Sequence, residues 1–281
     1  MTAAPAQRST APTARLRSSR GPLPIWLLIP AGIGAVLLLL PFAALVGRLD
    51  WSEMGAAIVS TEAQQALVLS LVTATIATVV CVVLGIPLAM LIARSPTWLA
   101  GVLRTLTTLP LVLPPLVGGI ALLALLGRNG LLGGVLTLMG LRIPFTTAAV
   151  VIAQAFVALP FLVISVEGSL RSIDSGHERV AASLGASRLT VFRRVTLPLA
   201  APGILAGTVL CFARALGEFG ATALFAGNSP GVTRTMPLAI YTAFNGAGVR
   251  EDTAIALSLM LILVAIAVLV LMRGWRPGAL R

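Results

Sequence analysis

Long apolar segments are the feature of this sequence that most restricts its fold. Residues 25–47 form the first, and five more lie at 66–93, 105–126, 145–166, 202–225 and 254–272. Each is close to the roughly 20 residues that cross the hydrocarbon core of a bilayer. Only 10 % of the 281 residues are charged, whereas soluble domains carry about 25 %. The sequence therefore predicts an all-α polytopic membrane protein with six transmembrane helices.

Prolines interrupt several of these segments. Pro110, Pro114 and Pro115 lie in the third segment, Pro87 lies in the second and Pro160 in the fourth. Proline is tolerated in a transmembrane helix where neighbouring helices re-satisfy the backbone groups that it frees. We therefore expect kinked helices that pack against one another rather than isolated membrane anchors.

The absence of some residue types excludes several kinds of chemistry. All twenty basic residues are arginines, so the chain has no lysine for a P-loop or a Schiff base. If ATP is used, another chain must bind it. His177 is the only histidine, and no group of cysteine, histidine and carboxylate side chains has the spacing of a metal site. We therefore expect no metal and no cofactor in this chain.

The arginines also predict the orientation in the membrane. With the N-terminus in the cytoplasm, the cytoplasmic segments carry 14 arginines and the external segments carry five. Basic residues near spanning segments favour the cytoplasmic side, so both termini are expected there, in an inner-membrane protein that binds lipid and no nucleic acid. The predicted organisation is a disordered basic tail (1–22), a first transmembrane helix with an external loop (23–64), a transmembrane domain (65–273) and a cytoplasmic tail (274–281).

The longest predicted cytoplasmic loop, residues 167–200, contains the polar stretch GHERVAASLGASRLTVFRRVTLP (176–198). Its pattern predicts two short helices around Gly185, because glycine adopts a left-handed helix cap at little cost. Ser187 is the predicted cap of the second helix, and Leu197-Pro198 is expected to end it. From the residues alone, an amphipathic helix lying on anionic lipid is an alternative.

The spacing within this loop resembles the signature of binding-protein-dependent ABC importer permeases, which reads Glu-Ala-Ala, three residues, Gly, nine residues, Ile, one residue, Leu-Pro. Gly185, Val195 and Leu197-Pro198 fit that spacing. Arg179 stands where the family has its glutamate, and Glu178 lies one position early. The resemblance implies a type I ABC importer permease fold, with a coupling helix between spans four and five that docks on an ATP-binding subunit. The implied coupling residues are Glu178, Arg179, Ala181, Ala182, Gly185, Ala186, Phe192, Leu197 and Pro198.

Two charged residues, Arg214 and Glu218, lie inside the fifth apolar segment. A charge within the membrane is costly, so it indicates either function or a specific partner. The two residues are four apart, which places them on one face if the helix is continuous. They are predicted either to pair and fix helix packing or to line the path of an anion.

A second resemblance concerns the transported ion. The segments ARALGEFGA (213–221), TRTMPLAIYT (233–242) and LPLVLPPLVGGIALLALLGRNGLLG (109–133) are similar to those of tetrahedral oxyanion importers, the molybdate and sulfate/thiosulfate group. This resemblance covers roughly residues 65–272 and favours molybdate, with sulfate, thiosulfate or tungstate as alternatives.

The same resemblance implies the partners of the chain. They are a second copy of the chain, two ATP-binding subunits that hold ATP and Mg, and an external substrate-binding protein. Arg128 and Arg142, in an external loop, are candidates for docking that protein or for short-range steering of the anion, and ordinary solvated loop charges are the alternative. A secondary active transporter and a membrane-embedded enzyme are the alternatives from other classes.

Overall fold

A computed structural model describes residues 25–48, 51–246 and 251–273 of the chain. Within these residues the secondary structure is helical, with no strand. The predicted tails 1–22 and 274–281 lie outside the described residues. The chain divides into two units, and helix α1 (Ile25–Gly47) is the described part of the first. Its bounds are those expected from the apolar pattern, and its side chains are exposed along most of its length.

The second unit contains the remaining helices. They are α2 (Trp51–Val59), α3 (Thr61–Arg94), α4 (Thr97–Val112), α5 (Pro115–Leu126), α6 (Gly133–Leu138), α7 (Thr147–Ser172), α8 (Ser175–Ser183), α9 (Arg188–Val191), α10 (Leu197–Leu216), α11 (Gly220–Phe225), α12 (Met236–Asn245) and α13 (Glu251–Arg273). By length and composition, five described helices can cross a membrane, and a sixth span results if α4 and α5 count as one. The number of spans thus agrees with the prediction.

The third predicted span, 105–126, is not one helix. It consists of the second half of α4 and all of α5, which meet at an angle of 115°. The break lies at Leu113, whose ψ of 137° is extended, because proline disfavours the helical conformation in the residue before it. Pro114 and Pro115 follow in succession and neither can donate a backbone hydrogen bond. The expected kink is therefore present, and it is sharp enough to turn the chain.

The fifth predicted span, 202–225, is also not one continuous helix. Helix α10 ends at Leu216, and α11 begins at Gly220 after a break at Gly217–Phe219. Phe219, with φ −127° and ψ −55°, lies outside the helical range. The apolar pattern continues across this break, so it did not mark the end of α10.

The main core lies where α3, α7 and α10 pack together. Its buried side chains are mostly small, among them Ala77, Cys81, Ala158, Cys211 and Ala215. Small residues let transmembrane helices approach closely, which increases van der Waals contact in the absence of a hydrophobic driving force.

Close approach is clearest between α7 and α10. A Cβ atom added at Gly203 would overlap the side chain of Ser169, and one at Gly207 would lie 2.9 Å from the Cβ of Ser165. The hydroxyl of Ser165 donates to the carbonyl oxygen of Gly203 at 2.9 Å. The backbone of α10 is therefore held directly against α7.

A second core joins α5, α7 and α11. A Cβ atom at Gly119 of α5 would lie 2.9 Å from the carbonyl oxygen of Ala221, and one at Gly220 would lie 2.7 Å from Pro115. These contacts hold the short helix α11 against α5, on the far side of the break that follows α10.

Candidate functional site

The polar loop after α7 has the predicted local structure. Asp174 caps α8, since its Oδ1 accepts a hydrogen bond from the backbone N–H of Gly176 at 2.8 Å. Gly185 has a φ of +83°, in the left-handed region that favours glycine. Ser187 then caps α9, because its Oγ accepts from the N–H of Thr190 at 3.3 Å. A helix on each side of Gly185 is therefore confirmed.

The end of this loop differs from the prediction. Leu197-Pro198 does not end the second helix, which runs without interruption from Arg188 to Leu216. Between α9 and α10 lies a π-helical turn, Phe192–Thr196, closed by a hydrogen bond from the N–H of Leu197 to the carbonyl oxygen of Phe192. Pro198 falls in the first turn of α10, where a missing N–H is tolerated.

The loop exposes an apolar surface. Val180 is 61 % exposed, Leu184 is 82 % exposed and Leu189 is 64 % exposed. Among the predicted coupling residues, Arg179, Ala182, Gly185, Leu197 and Pro198 are exposed, whereas Ala181, Ala186, Glu178 and Phe192 are partly buried. Leu189 was missed by sequence reasoning, although a leucine within a polar loop is a signal that could have identified it.

Phe192 points into the chain. It lines a small cavity together with Met90 of α3, Leu170 of α7 and Ile204 of α10. It therefore anchors the loop on three helices of the main core. Contact with a partner subunit stays a prediction for the exposed residues of the loop.

The two intramembrane charges form an ion pair, with Nη2 of Arg214 2.5 Å from Oε2 of Glu218. The Glu218 side chain is 1 % exposed and that of Arg214 is 25 % exposed. Glu218 lies beyond the end of α10. The pair therefore bridges the end of the helix, whereas a continuous helix would have placed both residues on one face. Oε1 of Glu218 accepts the N–H of Ala221 in α11 at 2.8 Å. The carboxylate thus joins α10 to α11.

The polar loop and the ion pair both lie in a part of the chain that matches a known protein family. Residues 85–277, which include the loop and the ion pair, match the family described as "Binding-protein-dependent transport system inner membrane component". This chain belongs to that family. The predicted class is confirmed, and the secondary transporter and the membrane-embedded enzyme are set aside as alternatives.

Relatives of this permease include proteins named for molybdenum transport. The "Molybdenum transport system permease protein ModB" of Mycobacterium tuberculosis is 54 % identical over 219 residues, which are 78 % of this chain and 83 % of the relative. The protein of that name from Escherichia coli is 42 % identical over 66 % of this chain and 81 % of its own length. A "probable molybdenum ABC transporter permease protein" of Haloferax volcanii is 40 % identical, covering 82 % of each chain.

Solved structures share the fold of the permease. A chain of a bacterial alginate ABC transporter superposes with a TM-score of 0.70 at 18 % identity, over 90 % of this chain and 94 % of that one. A chain of the MetNI methionine ABC transporter gives a TM-score of 0.58 at 17 % identity, over 76 % and 96 %. These likenesses confirm the type I importer permease fold that was predicted.

Sequence reasoning missed two charged clusters of the permease, one around Glu178 in α8 and one around Glu167 near the end of α7. Glu178 accepts hydrogen bonds from Nη2 of Arg94 at 2.9 Å and from Oγ1 of Thr196 at 2.5 Å. Glu167, 7 % exposed, pairs with Nη2 of Arg104 at 2.6 Å and with Nε of Arg171 at 2.8 Å. The i,i+4 spacing of Glu167 and Arg171 was a visible signal. Arg94 and Glu178 are 84 residues apart, and no local pattern joins them.

Arg128, Arg142 and Arg234 lie in loops at the other end of the permease. Arg128 and Arg142 are exposed, and neither forms an ion pair with any described residue. Arg234, which sequence reasoning missed, donates from Nε to Oδ1 of Asn228 at 2.9 Å, and Asn228 in turn donates to Thr242 at 2.8 Å. In the described part of the chain, no three histidine, cysteine or carboxylate side chains are grouped as a metal site.

Proposed function

We propose that this chain is the membrane-spanning permease subunit of an ATP-driven importer of molybdate. The observation that carries the proposal is the 54 % identity to a relative named as a molybdenum transport permease, over 78 % of this chain. The geometry supports it at two places: an exposed helical loop suited to a partner subunit, and a partly accessible arginine at the end of a spanning helix. Tungstate is the nearest chemical alternative, and sulfate or thiosulfate is the next.

The loop α8–α9 is proposed to couple the permease to an ATP-binding subunit that holds ATP and Mg. The chain lacks lysine and holds no cofactor under this proposal, so the nucleotide chemistry belongs to the partner. Val180, Leu184 and Leu189 supply exposed apolar contacts, which an interface buries at its centre. Arg179 is exposed where the family has a glutamate, and this favours an acidic group on the partner at that point.

The path of the anion is proposed to pass Arg214. A guanidinium carries five N–H donors, and Glu218 engages only one of its terminal nitrogens. The remaining donors are suited to oxyanion oxygens, which arginine binds with charge-assisted hydrogen bonds. Pairing with Glu218 offsets the charge of Arg214 when no anion is bound and holds the guanidinium in place. Two copies of the chain are proposed to enclose this path.

The cargo is proposed to arrive on an external binding protein. Arg128 and Arg142 are exposed and form no ion pair with any described residue, and such positive charge suits an acidic rim on that protein and also steers an anion. Under this proposal both termini lie in the cytoplasm and the protein spans the inner membrane.

The test is uptake by the complex reconstituted in vesicles with its ATP-binding subunit and its binding protein. Labelled molybdate, tungstate and sulfate are supplied separately at equal concentration, with and without ATP inside. We expect ATP-dependent accumulation of molybdate well above that of sulfate. Greater uptake of sulfate overturns the choice of cargo, and uptake of molybdate that is equal without ATP overturns the importer mechanism.

A further inference from the structure

The carboxylate of Glu178 connects three elements of the chain. Glu178 lies in α8, and its Oε1 accepts from Arg94, the last residue of α3. The same oxygen accepts from Thr196, the last residue of the π-helical turn that leads into α10. Its side chain is 31 % exposed, that of Arg94 is 56 % exposed, and Thr196 is buried. One side chain of the loop thus contacts the ends of two spanning helices.

The hydrogen bond of Thr196 is unusual within this chain. Thr73 and Thr208 lie inside helices, and each hydroxyl donates to the carbonyl oxygen four residues earlier, at 2.8 Å. For Thr196 that carbonyl belongs to Phe192, which already accepts the N–H of Leu197. The hydroxyl of Thr196 donates to Glu178 instead, across 18 residues. π-Helical turns are rare and occur frequently at functional sites.

Hydrogen bonds to charged groups are among the stronger ones in proteins. The bond from buried Thr196 is shielded from water, whereas the exposed ion pair with Arg94 is weakened by solvent. We therefore expect the link from α8 to α10 to be firmer than the link from α8 to α3.

We propose that Glu178 is a positioning residue that ties the coupling loop to the bases of α3 and α10, so that displacement of α8 moves α10. The proposal rests on the proposed function, because it concerns how the motion of a partner subunit enters the membrane. Glu178 then contacts its own chain rather than the partner, and the neighbouring Arg179 faces the partner in its place.

Helix α10 is suited to carry this displacement. From Thr196 to Arg214 the helix rises about 27 Å, at about 1.5 Å per residue. The close packing of Gly203 against Ser169 leaves little room for α10 to move towards α7. A shift at the π-helical turn therefore reaches the Arg214–Glu218 pair at the other end.

The test compares variants in the full complex, reconstituted with its ATP-binding subunit and binding protein. The readout is labelled molybdate transported per ATP hydrolysed, which a purely structural role of Glu178 would leave unchanged in the assembled fraction. For Glu178→Ala we expect normal assembly and ATP hydrolysis. Transport per ATP should fall about tenfold, because a charge-assisted hydrogen bond is lost. Thr196→Val should show a fall of about threefold or more. Thr208→Val, the matched control in the same helix, should behave as the wild type.

Rescue distinguishes the link from a general need for the glutamate. The double variant Glu178→Arg with Arg94→Glu restores the ion pair with α3 in reversed charge but leaves Thr196 without its acceptor, because the arginine side chain has none. We expect its transport per ATP to lie between that of Glu178→Ala and that of the wild type. Wild-type coupling in both Glu178→Ala and Thr196→Val overturns the proposal. Loss of the ATP-binding subunit in Glu178→Ala, with normal behaviour of Thr196→Val, also overturns it, because Glu178 would then contact the partner.

A second readout does not depend on the cargo. In the purified full-length chain, amide hydrogen exchange of residues 192–197 should be faster in Glu178→Ala than in the wild type and unchanged in Thr208→Val. Equal exchange in all three overturns the link even if no ion is transported. Failure of the wild-type complex to transport any of the three oxyanions, with the exchange difference present, refutes the proposed function and leaves the link standing.

Discussion

Replacement of Arg214 by alanine separates the two explanations for the intramembrane ion pair. The change removes the cation that lies 2.5 Å from Glu218, whose side chain is 1 % exposed. A buried carboxylate left without its partner costs about 3–5 kcal/mol of folding free energy. The hydrogen bond from Ala221 to Glu218 remains and reduces the loss, so we expect about 3 kcal/mol. For a chain of this size that corresponds to a fall in Tm of roughly 6–12 °C.

The double variant Arg214→Ala with Glu218→Gln removes the buried charge as well. The amide oxygen introduced by Glu218→Gln can still accept the N–H of Ala221, so we expect most of the lost stability to return. If the arginine only fixes helix packing, uptake should return with stability. If Arg214 lines the anion path, stability should return while molybdate uptake stays low.

The assay is thermal unfolding of the purified complex, followed by tryptophan fluorescence, together with labelled molybdate uptake in vesicles. Arg171→Ala is the matched control. Glu167 keeps its contacts with Arg104 in this variant, so we expect the variant to lose far less stability than Arg214→Ala. A Tm for Arg214→Ala within 2 °C of the wild type would refute the reasoning about the buried charge. Full uptake by the stable double variant would refute the path role.

Three further predictions follow from other parts of the structure. Gly185→Val forces a β-branched residue into a φ of +83°, at a cost of about 1–2 kcal/mol. We expect less ATP-binding subunit to copurify with this variant, while membrane insertion is unchanged. Gly185→Asn is the milder control. Normal ATP-driven uptake by Gly185→Val would contradict the coupling role. Gly203→Val should separate α10 from α7, because even a Cβ overlaps Ser169, and should abolish the folded complex; a stable, active variant would contradict the packing. The pair Arg128→Ala and Arg142→Ala should weaken stimulation of ATP hydrolysis by the binding protein, more at low ionic strength than at high. An effect that is independent of salt would argue against charge in the docking step.

The short-range features of this permease could be read from its sequence. Helix α1 has the predicted bounds, because a spanning helix satisfies its backbone groups internally and needs only an apolar run of sufficient length. The loop after α7 forms two helices, which are capped by Asp174 and, as predicted, by Ser187. Each cap involves residues two or three positions apart, so the local order of side chains determines it.

Helix ends within apolar sequence could not be read in this way. Hydrophobic residues lie on both sides of the break before α11, and the span was predicted to continue although Gly217 caps the end of α10. Pro198 was expected to end a helix and does not, because the π-helical turn before it lets the chain continue into α10. The Pro114-Pro115 pair indicated a kink, but the angle of 115° depends on the packing of α5 against α11.

What the sequence determined by itself was the class of protein and the local form of its loop, since apolar length and capping act over a few residues. The spacing of the loop also indicated the transporter family through its resemblance to the signature of ABC importer permeases. Only the tertiary structure decided the partners of the charges. Glu178 meets Arg94 across 84 residues, and Glu167 meets Arg104 across 63 residues. Such pairs form because α3, α7 and α10 pack closely enough to bring distant side chains together, and this packing depends on the whole core.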